Sequence, residues 1–311
     1  MRYLITILAL LSASMDSAIS GDKLPHILII LVDDMGYGDV GAYNPDSKIP
    51  TPHLDKLSQE GMRFTDAHAP GPLCHLSRYG LLTGQYPFRA NTSAWRRQPS
   101  IKSGQLTIAS LLKNKGYNTA MVGKWHLGTH EFLPVHHGFD YYHGIPMTQN
   151  ACISNIETPG SVHPRATAAE PYTSVGPCPI FNDSTIVQQD DMLGEHKLLD
   201  VIDIDEQYDA AAAGFIRENH ATRTPWFFYF CSHHTHVPQF ASAEMTGFST
   251  RGLMGDSLSM LDRSVGRLTN LTAELRIDEQ TLFIFSADNG GARYWGPDVG
   301  GSNGELRCGS E

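Results

Sequence analysis

Short apolar segments alternate with amphipathic segments along most of the chain. Four runs of strand length are apolar and end in polar residues: HILIILVDD at 26–34, YNTAMVGKW at 117–125, PWFFYFCS at 225–232 and TLFIFSADNG at 281–290. Four other segments carry apolar residues at helical spacing, at 51–62, 105–116, 207–219 and 256–274, and Gly116 closes the second of these. This alternation predicts an α/β protein with a mostly parallel central sheet flanked by helices.

One segment, residues 148–200, departs from the alternation. It is polar, rich in Pro, Gly and Thr, and has no sustained period, so we interpret it as an insertion or a long loop. The chain has five cysteines, at 74, 152, 178, 231 and 308, and this odd number leaves at least one thiol unpaired. Cys152 and Cys178 flank a polar stretch of this segment and are the pair that we expect to be bridged.

The N-terminus has the pattern of a secretory signal peptide. Residues 1–20 combine an early cation at Arg2, a short apolar run at 3–11 and small residues before position 20. The alternative is a membrane anchor, but the apolar run is shorter than the roughly 20 residues that span a bilayer, and no later segment spans one either. Glycosylation sequons begin at Asn91, Asn182 and Asn270. We therefore expect a glycoprotein of the secretory pathway, lysosomal or extracellular.

Composition and charge restrict the class of partner. The chain is 41% hydrophobic and 18% charged, as in ordinary globular proteins, and its formal net charge is -10 with a pI near 5.8. Its longest basic run is Arg96-Arg97. These features argue against a nucleic-acid-binding surface and favour a small or neutral ligand.

Polar residues with catalytic or metal-binding capacity follow all four predicted strands. The strand ends read Asp33-Asp34, Lys124-Trp125-His126, His233-His234-Thr235-His236 and Asp288-Asn289. A single polar strand end is an ordinary solvated turn. In open α/β sheets, however, ligands bind at the carboxyl ends of the strands, so four such ends together indicate a functional site.

The acidic strand ends form a candidate cation site. Asp33, Asp34 and Asp288 would repel one another if they converged without a positive charge between them. With Asn289 they offer an all-oxygen ligand set, which suits Ca²⁺ or Mg²⁺, whereas zinc would prefer the histidines. The alternative, in which Asp33 caps a helix and Asp288 lies in an Asp-Asn-Gly turn, remains open from the local sequence.

Two further spacings suggest groups that act on an anion. Cys74 and Arg78 are four residues apart, so a helix that begins near Cys74 would place both on one face, with its N-terminus towards a sulfate or phosphate. Lys124 and His126 are two residues apart, as are His234 and His236. Each of these pairs could project from one side of an extended strand end into a common cleft, although a single histidine is more often structural.

The motifs together resemble those of the sulfatases. LCHLSR with LLTGQYP, ILVDDMGYGDVGAY, GKWHLG, SHHTHVPQF and ADNGG occur in this order, and HHTHVPQF and ELRCG are most similar to the arylsulfatase A branch. The resemblance covers residues 24–309 and implies an alkaline-phosphatase/sulfatase-like fold. It also implies that residues 21–311 form the catalytic α/β domain. In the family, a segment with a second sulfate-binding lysine and a smaller C-terminal domain follow ELRCG, and the 311 residues do not include them.

The resemblance implies a specific chemistry for the cysteine and the acidic residues. A formylglycine-generating enzyme would oxidise Cys74 to formylglycine, whose hydrated aldehyde supplies the nucleophilic hydroxyl. Asp33, Asp34, Asp288 and Asn289 match the Ca²⁺ ligands of the family, and Mg²⁺ is possible in the same set.

It also assigns the remaining polar residues. Arg78 matches the arginine that steadies the hydrated aldehyde, and Lys124 and His236 match groups that hold the sulfate and protonate the leaving oxygen. His126 matches the base that collapses the sulfated intermediate. Thr148 stands where the arylsulfatase A branch has a serine near the sulfate, and it would bind substrate.

The sequence differs from the family pattern at two positions of the cysteine motif. Leu76 replaces the proline of Cys-x-Pro-Ser-Arg, and Gln85 replaces an arginine after Leu-Thr-Gly. The first hypothesis is therefore a sulfatase that acts on an aryl sulfate or on a sulfated glycan or glycolipid. The alternative is a truncated, catalytically impaired relative that binds Ca²⁺ or sulfated ligands without turnover. A phosphate-ester hydrolase with an unmodified nucleophile is a third option, although Ser77 would lie far from the ideal position.

Overall fold

One sheet organises the part of the chain that the structure describes. The computed structural model describes residues 24–90, 101–146, 180–182, 185–188, 204–232, 234–237, 239–292 and 300–306. Its strands are β1 (His26–Val32), β2 (Asn118–Gly123), β3 (Tyr141–Gly144), β4 (Ile180–Asn182), β5 (Thr185–Gln188), β6 (Trp226–Cys231) and β7 (Thr281–Ala287). Its α-helices are α1 (Pro52–Glu60), α2 (Cys74–Thr83), α3 (Ile108–Lys113), α4 (Ile204–Thr222) and α5 (Leu253–Glu274).

The strand order of the sheet is β5-β4-β3-β2-β6-β1-β7. The five strands from β3 to β7 in this order pair in parallel, and β1 lies between β6 and β7, with Ile30 opposite Phe230 and Phe285. The predicted α/β class and mostly parallel sheet are confirmed. Parallel pairing places the carboxyl ends of these strands at one edge of the sheet, which is where the polar clusters follow.

Two short strands lie within residues 148–200, the segment that we interpret as an insertion or a long loop. Within this segment, β4 and β5 pair antiparallel with each other, and β4 pairs antiparallel with β3. They satisfy backbone groups at the open edge of β3. Strands of three and four residues are too short to leave a periodic pattern in the sequence, so the hairpin could not be read from it. The predicted signal peptide, Thr148, the Cys152–Cys178 pair and Cys308 lie outside the described residues.

Both faces of the central strands are covered, which explains their continuous apolar runs, whereas Leu282 and Ile284 of the edge strand β7 are exposed. In β1, Leu28, Ile30 and Val32 face a core that includes residues of α4 and α5. The alternate positions, Ile29 and Leu31, face a second core that includes residues of α2 and α3. Burying one such side chain stabilises the fold by about 1.5–3 kcal/mol before the entropy cost is counted. The central strands are therefore rigid supports for the loops that follow them.

The helices begin and end where local chemistry requires. The segment predicted as a helix at 105–116 is helical only at Ile108–Lys113. It begins there because the Thr107 hydroxyl accepts a hydrogen bond from the backbone of Ser110, whose own hydroxyl accepts from the Thr107 N–H.

Among the described residues, no helix combines the length and apolarity needed to cross a membrane.

A glycine at the end of β2 sets the position of the polar residues that follow it. Gly123 has a positive φ of 92°, and a Cβ atom there would lie 1.9 Å from the carbonyl oxygen of Cys231. Only glycine permits this approach. The next residue, Lys124, donates its backbone N–H to the same carbonyl at 3.0 Å, so β2 and β6 remain paired up to the first residue of the cluster.

Candidate active site

The four polar strand ends meet at one edge of the sheet. Asp33, Lys124 and Asp288 each directly follow a strand, and all three are at most 1% exposed. The turn after β6 joins them, because the Asp33 N–H donates to the His234 carbonyl at 3.1 Å. The Asp288 N–H donates to the Val32 carbonyl at 2.9 Å. The sheet thus brings together residues that are up to 255 positions apart in the chain.

Cys74 is the first residue of α2 and faces this cluster. Its Sγ donates to Asp33 Oδ1 at 3.1 Å, and the side chain is partly exposed. The N-cap residue Leu73 makes no side-chain cap, so the helix N-terminus is open towards the site. Burial and the nearby Asp33 carboxylate raise the pKa of the Cys74 thiol well above its usual range. The thiol is therefore protonated at neutral pH and is a weak nucleophile.

Arg78 lies one helical turn after Cys74 and is fixed by three hydrogen bonds. Its Nε and Nη2 donate to Asp288 Oδ2 at 3.0 and 2.8 Å, and its Nη1 donates to the Lys124 carbonyl at 2.7 Å. The side chain is 1% exposed. The helix that the Cys74–Arg78 spacing suggested is present, and the guanidinium connects the ends of β2 and β7.

Negative charge exceeds fixed positive charge in this cluster. The carboxylates of Asp33, Asp34 and Asp288 face the cations Arg78 and Lys124, and the Lys124 ammonium pairs directly with Asp33. Burial alone would raise the pKa of Asp33, but Lys124, His236 and Arg78 hold it below its usual range. Burial and neighbouring carboxylates raise the pKa of Asp34, and raise that of Asp288 to about 8. A further positive charge would stabilise this arrangement.

The acidic cluster has the geometry of a metal site. One ligand atom each from Asp33, Asp34, Cys74 and Asp288 lie within 4.8 Å of one another. Asn289 adds an amide whose Nδ2 donates to Asp34 Oδ1 at 2.6 Å. Its Oδ1 is buried and has no hydrogen-bond partner among the described residues. A buried amide oxygen without a donor is costly, and a cation would satisfy it, so these residues fit a hard divalent ion. Asp33, Cys74 and His236 form an overlapping set with one histidine.

Two histidines border the cluster. His236 Nδ1 lies 2.6 Å from the Val237 carbonyl, which can only accept, so Nδ1 carries a proton and Nε2 faces Asp34 Oδ2 at 3.8 Å. Burial, Lys124 and Arg78 lower the pKa of His126 well below its usual range, which favours the neutral ring. His126 has a positive φ of 60°. Its backbone therefore lies in the left-handed region, in a turn after β2, and does not continue the extended strand end that its spacing suggested.

The prediction that His234 and His236 share a cleft was wrong. Strand β6 ends at Cys231, and residues 234–237 form a turn. The His234 ring lies 2.8 Å from Ser257 Oγ and 2.6 Å from Asp205 Oδ2, on helices α5 and α4. Alternation of side chains applies only to extended backbone, so a spacing of two carried no information in this turn.

Other residues of the site could not be identified by motif spacing. His75 packs edge-on against His126 with ring centroids 5.8 Å apart, and burial and Lys124 lower its pKa to about 4. In the sequence, only its position directly after Cys74 indicates that His75 lies near the site. By contrast, Gln85 lies beyond the end of α2, where it accepts a hydrogen bond from the Tyr79 hydroxyl at 3.2 Å. The role predicted for Thr148 concerns a residue outside the described part of the chain.

Known proteins share both the sequence pattern and the fold. A family model described as Sulfatase matches residues 25–309. Arylsulfatase A of Bos taurus is 37% identical over 310 residues, an alignment that covers 96% of this chain and 58% of that protein. N-acetylgalactosamine-6-sulfatase of Canis lupus familiaris is 34% identical over 324 residues, covering 98% of this chain and 58% of that protein. The chain thus spans somewhat more than half the length of these relatives.

A solved structure supports the same assignment. The PsFucS1 sulfatase from Pseudoalteromonas sp. superposes with a TM-score of 0.74 at 28% identity, over 93% of this chain and 59% of that one. The parallel sheet with a buried acidic cluster at its carboxyl edge defines an α/β protein of the alkaline-phosphatase-like fold. Within that class, the chain belongs to the sulfatase family.

Proposed function

We propose that this chain forms the catalytic domain of a sulfatase, with formylglycine derived from Cys74 and Ca²⁺ held by Asp33, Asp34, Asp288 and Asn289. The observation that carries the proposal is the convergence of Cys74, two buried cations and two histidines on one acidic cluster. The net reaction converts a sulfate ester and water into an alcohol and hydrogen sulfate, with cleavage of the bond between sulfur and the ester oxygen. Each group has a separate task in that reaction.

The ligand set supports a hard cation. Three carboxylates and the Asn289 Oδ1, which lacks a donor, offer oxygen atoms in a buried, negatively charged site. When bound, Ca²⁺ would supply positive charge for the sulfuryl oxygens. Mg²⁺ offers the same kind of charge but requires a stricter octahedral geometry.

The surroundings of Cys74 support its conversion. A thiol 3.1 Å from a carboxylate is not activated as a thiolate, and its sulfur is the only soft atom in an otherwise all-oxygen set. Conversion to formylglycine would replace that sulfur by oxygen and supply a nucleophilic hydroxyl from the hydrated aldehyde. The partner required for this step is a formylglycine-generating enzyme that acts with a two-electron oxidant, and the sulfur leaves as sulfide.

The remaining residues bind the sulfate and move protons. Arg78 and Lys124 carry fixed charge in a buried site, where they stabilise negative charge on the sulfuryl oxygens without reorganisation. His126 is assigned as the proton acceptor; burial and nearby cations lower its pKa, and the negative charge of a bound sulfate would raise it again. His236 directs Nε2 towards the cluster, and when the ring carries a proton on both nitrogens it donates the Nε2 proton to the leaving oxygen. Thr148 is proposed to contact the sulfate through its hydroxyl.

The names of the relatives suggest the substrate class. They include arylsulfatase A and N-acetylgalactosamine-6-sulfatase, so we propose an aryl sulfate or a sulfated glycan or glycolipid as substrate. The signal-like residues 1–20 support a location in the secretory pathway, lysosomal or extracellular. Asn270, the first residue of a sequon, is exposed on α5, which is compatible with glycosylation.

The function is tested on protein made in a secretory eukaryotic host. We expect release of sulfate from 4-nitrophenyl sulfate and from N-acetylgalactosamine 6-sulfate. Mass spectrometry of tryptic peptide 64–78 should detect the exchange of sulfur for oxygen and the loss of hydrogen at Cys74. A converted peptide without sulfate release would favour the alternative, a sulfatase-like protein that binds without turnover. Release of phosphate instead of sulfate from matched esters would favour the phosphatase hypothesis.

Binding of Ca²⁺ is tested by thermal unfolding of wild type and an Asp34→Asn variant. Asparagine removes one of three mutually repelling carboxylates, so without metal we expect the variant to melt at a higher temperature than wild type. Ca²⁺ should then raise the melting temperature of wild type only, by an amount that corresponds to about 2.7 kcal/mol at 100 times the Kd.

The matched control for this test is Asp66→Asn, because Asp66 is highly exposed. This variant should respond to Ca²⁺ as wild type does. Parallel titrations with Mg²⁺ and Zn²⁺ identify the preferred ion. An equal response to Ca²⁺ in Asp34→Asn and wild type would remove the proposed ligand set.

A further inference from the structure

We propose that Asp205, His234 and Ser257, here called the His234 clamp, position His236 for proton donation to the leaving oxygen. The inference rests on the proposed function, because the role of His236 belongs to it. None of the three clamp residues touches the acidic cluster through its side chain in the contacts described above. They act through the turn that carries His236, and they are positioning residues.

The clamp places a polar side chain next to each ring nitrogen of a buried histidine. His234 is 2% exposed, with Nδ1 2.8 Å from Ser257 Oγ and Nε2 2.6 Å from Asp205 Oδ2. The Nε2–Asp205 contact is at ion-pair distance, and the Nδ1–Ser257 contact is at hydrogen-bond distance. Asp205 and Ser257 are themselves 5% and 1% exposed. Two helices, α4 and α5, therefore fix the orientation of one side chain in the turn.

The backbone at His234 and Thr235 is hydrogen-bonded to Asp33, the residue that follows β1. The Asp33 N–H donates to the His234 carbonyl at 3.1 Å. In return, the Thr235 N–H and hydroxyl donate to the Asp33 carbonyl at 3.1 and 2.8 Å. Gln239 Nε2 donates to the Thr235 carbonyl at 3.0 Å. The clamp thus immobilises His234. The next residue, Thr235, then fixes the position of the turn relative to Asp33.

His236 follows this anchored pair directly. Its Nδ1 lies 2.6 Å from the Val237 carbonyl, so its ring orientation depends on the path of the turn. Its Nε2 is 3.8 Å from Asp34 Oδ2. A shift of the turn would move this nitrogen relative to a sulfate ester held by Arg78 and Lys124, because Arg78 lies on α2 and Lys124 follows β2.

A second contact between α4 and α5 shows that helix packing alone does not require His234. Asp209, one turn after Asp205 on α4, accepts from Ser264 Oγ at 2.9 Å and from Arg267 Nη1 at 2.6 Å on α5. This contact has the same kinds of groups, an aspartate on α4 and a serine on α5. These hydrogen bonds join Asp209 to α5 and not to the turn that carries His236. Variants of Asp209 and Ser264 are therefore matched controls for variants of the clamp.

Two substrates with different leaving groups distinguish a misplaced His236 from a general loss of folded enzyme. A sugar sulfate has a poor leaving oxygen that needs a proton, whereas 4-nitrophenyl sulfate has a good one that does not. Displacing a proton donor by about 1 Å can cost about 100-fold in rate. We therefore expect Ser257→Ala to lower kcat for the sugar sulfate by about 10- to 100-fold and kcat for 4-nitrophenyl sulfate less than about 3-fold. Asp205→Ala should act in the same direction, and Asp205→Asn, which retains an oxygen acceptor, should lie between it and wild type.

The matched variants Ser264→Ala and Asp209→Ala should leave the ratio of the two kcat values unchanged. An equal loss for both substrates in Ser257→Ala would overturn the proposal, because misfolding lowers both rates alike. Because Asp205→Ala leaves a buried cavity and could fail to fold, the conclusion depends on Ser257→Ala, which removes a single hydroxyl.

Hydrogen exchange provides a readout that does not need turnover. The Thr235 N–H is protected by the Asp33 carbonyl, so Ser257→Ala should speed exchange in peptides spanning residues 232–237 by at least about 10-fold, while Ser264→Ala should not. Unchanged protection in Ser257→Ala would overturn the clamp even if wild type is active. Absence of hydrolysis in wild type with the expected change in exchange would overturn the proposed function and leave the anchoring of the turn supported.

Discussion

Replacing Cys74 by alanine is expected to abolish sulfate-ester hydrolysis while leaving the fold intact. The side chain lies at the open N-terminus of α2, is partly exposed, and has one hydrogen bond to Asp33, so its removal opens no large cavity. If its formylglycine supplies the nucleophilic hydroxyl, the loss should be on the order of 10⁴-fold or more, as for other enzymes without their nucleophile. Sulfate release per folded molecule measures the effect, and the melting temperature reports the fold.

Cys231 offers the matched control. Its thiol is fully buried at the end of β6, and burial raises its pKa to about 12, so it is unreactive. Cys231→Ala should lower the melting temperature more than Cys74→Ala, because it leaves a cavity, yet retain turnover within a few-fold. Turnover that persists in Cys74→Ala would contradict the formylglycine mechanism, whatever the Cys231 variant does.

The position of the site could be predicted from the sequence because it depends on backbone topology. Asp33, Lys124 and Asp288 each directly follow an apolar strand, and parallel strands in one sheet end at one edge. No side-chain detail is needed for that inference. The Cys74–Arg78 spacing was equally informative, because both residues lie within one regular helix, where a separation of four places them on one face.

Residues in turns could not be predicted in the same way. The spacing of His234 and His236 suggested a shared cleft, but that inference assumed an extended chain, and β6 ends at Cys231. The orientation of His234 is determined by Asp205 and Ser257, which belong to helices whose contact with the turn is tertiary. A single sequence shows the period of each helix but not which of its buried polar residues meets a given loop.

The same limit applies to pairing within the cluster. The sequence identified Arg78 and Asp288 as site residues but did not pair them with each other. They are 210 positions apart, and the guanidinium binds the carboxylate through two nitrogens. This pair is the contact whose loss should have the largest effect on stability.

Replacing Arg78 by methionine is expected to lower the free energy of unfolding by about 3–5 kcal/mol, because it leaves Asp288 buried without its cation. It should also reduce turnover by about 10²- to 10³-fold or more, since a fixed charge for the sulfuryl oxygens is lost. The pKa of Asp288, already raised to about 8 by burial and neighbouring carboxylates, should rise further. A carboxyl whose pKa is higher in the folded state than in the unfolded state favours folding at low pH and loses that contribution as pH rises. The variant should therefore recover stability relative to wild type as pH falls towards about 8, because below that pH Asp288 is protonated in both folded proteins.

The control is Arg217→Met, which removes a half-exposed surface pair with Glu274 at 3.4 Å. Such pairs contribute about 0–1 kcal/mol, so this variant should unfold close to wild type at every pH. Denaturant unfolding of both variants and wild type at about pH 7 and about pH 9.5, without divalent metal, measures the difference. If Arg78→Met costs no more than Arg217→Met at about pH 9.5, the buried Arg78–Asp288 pair does not hold the ends of β2 and β7 together.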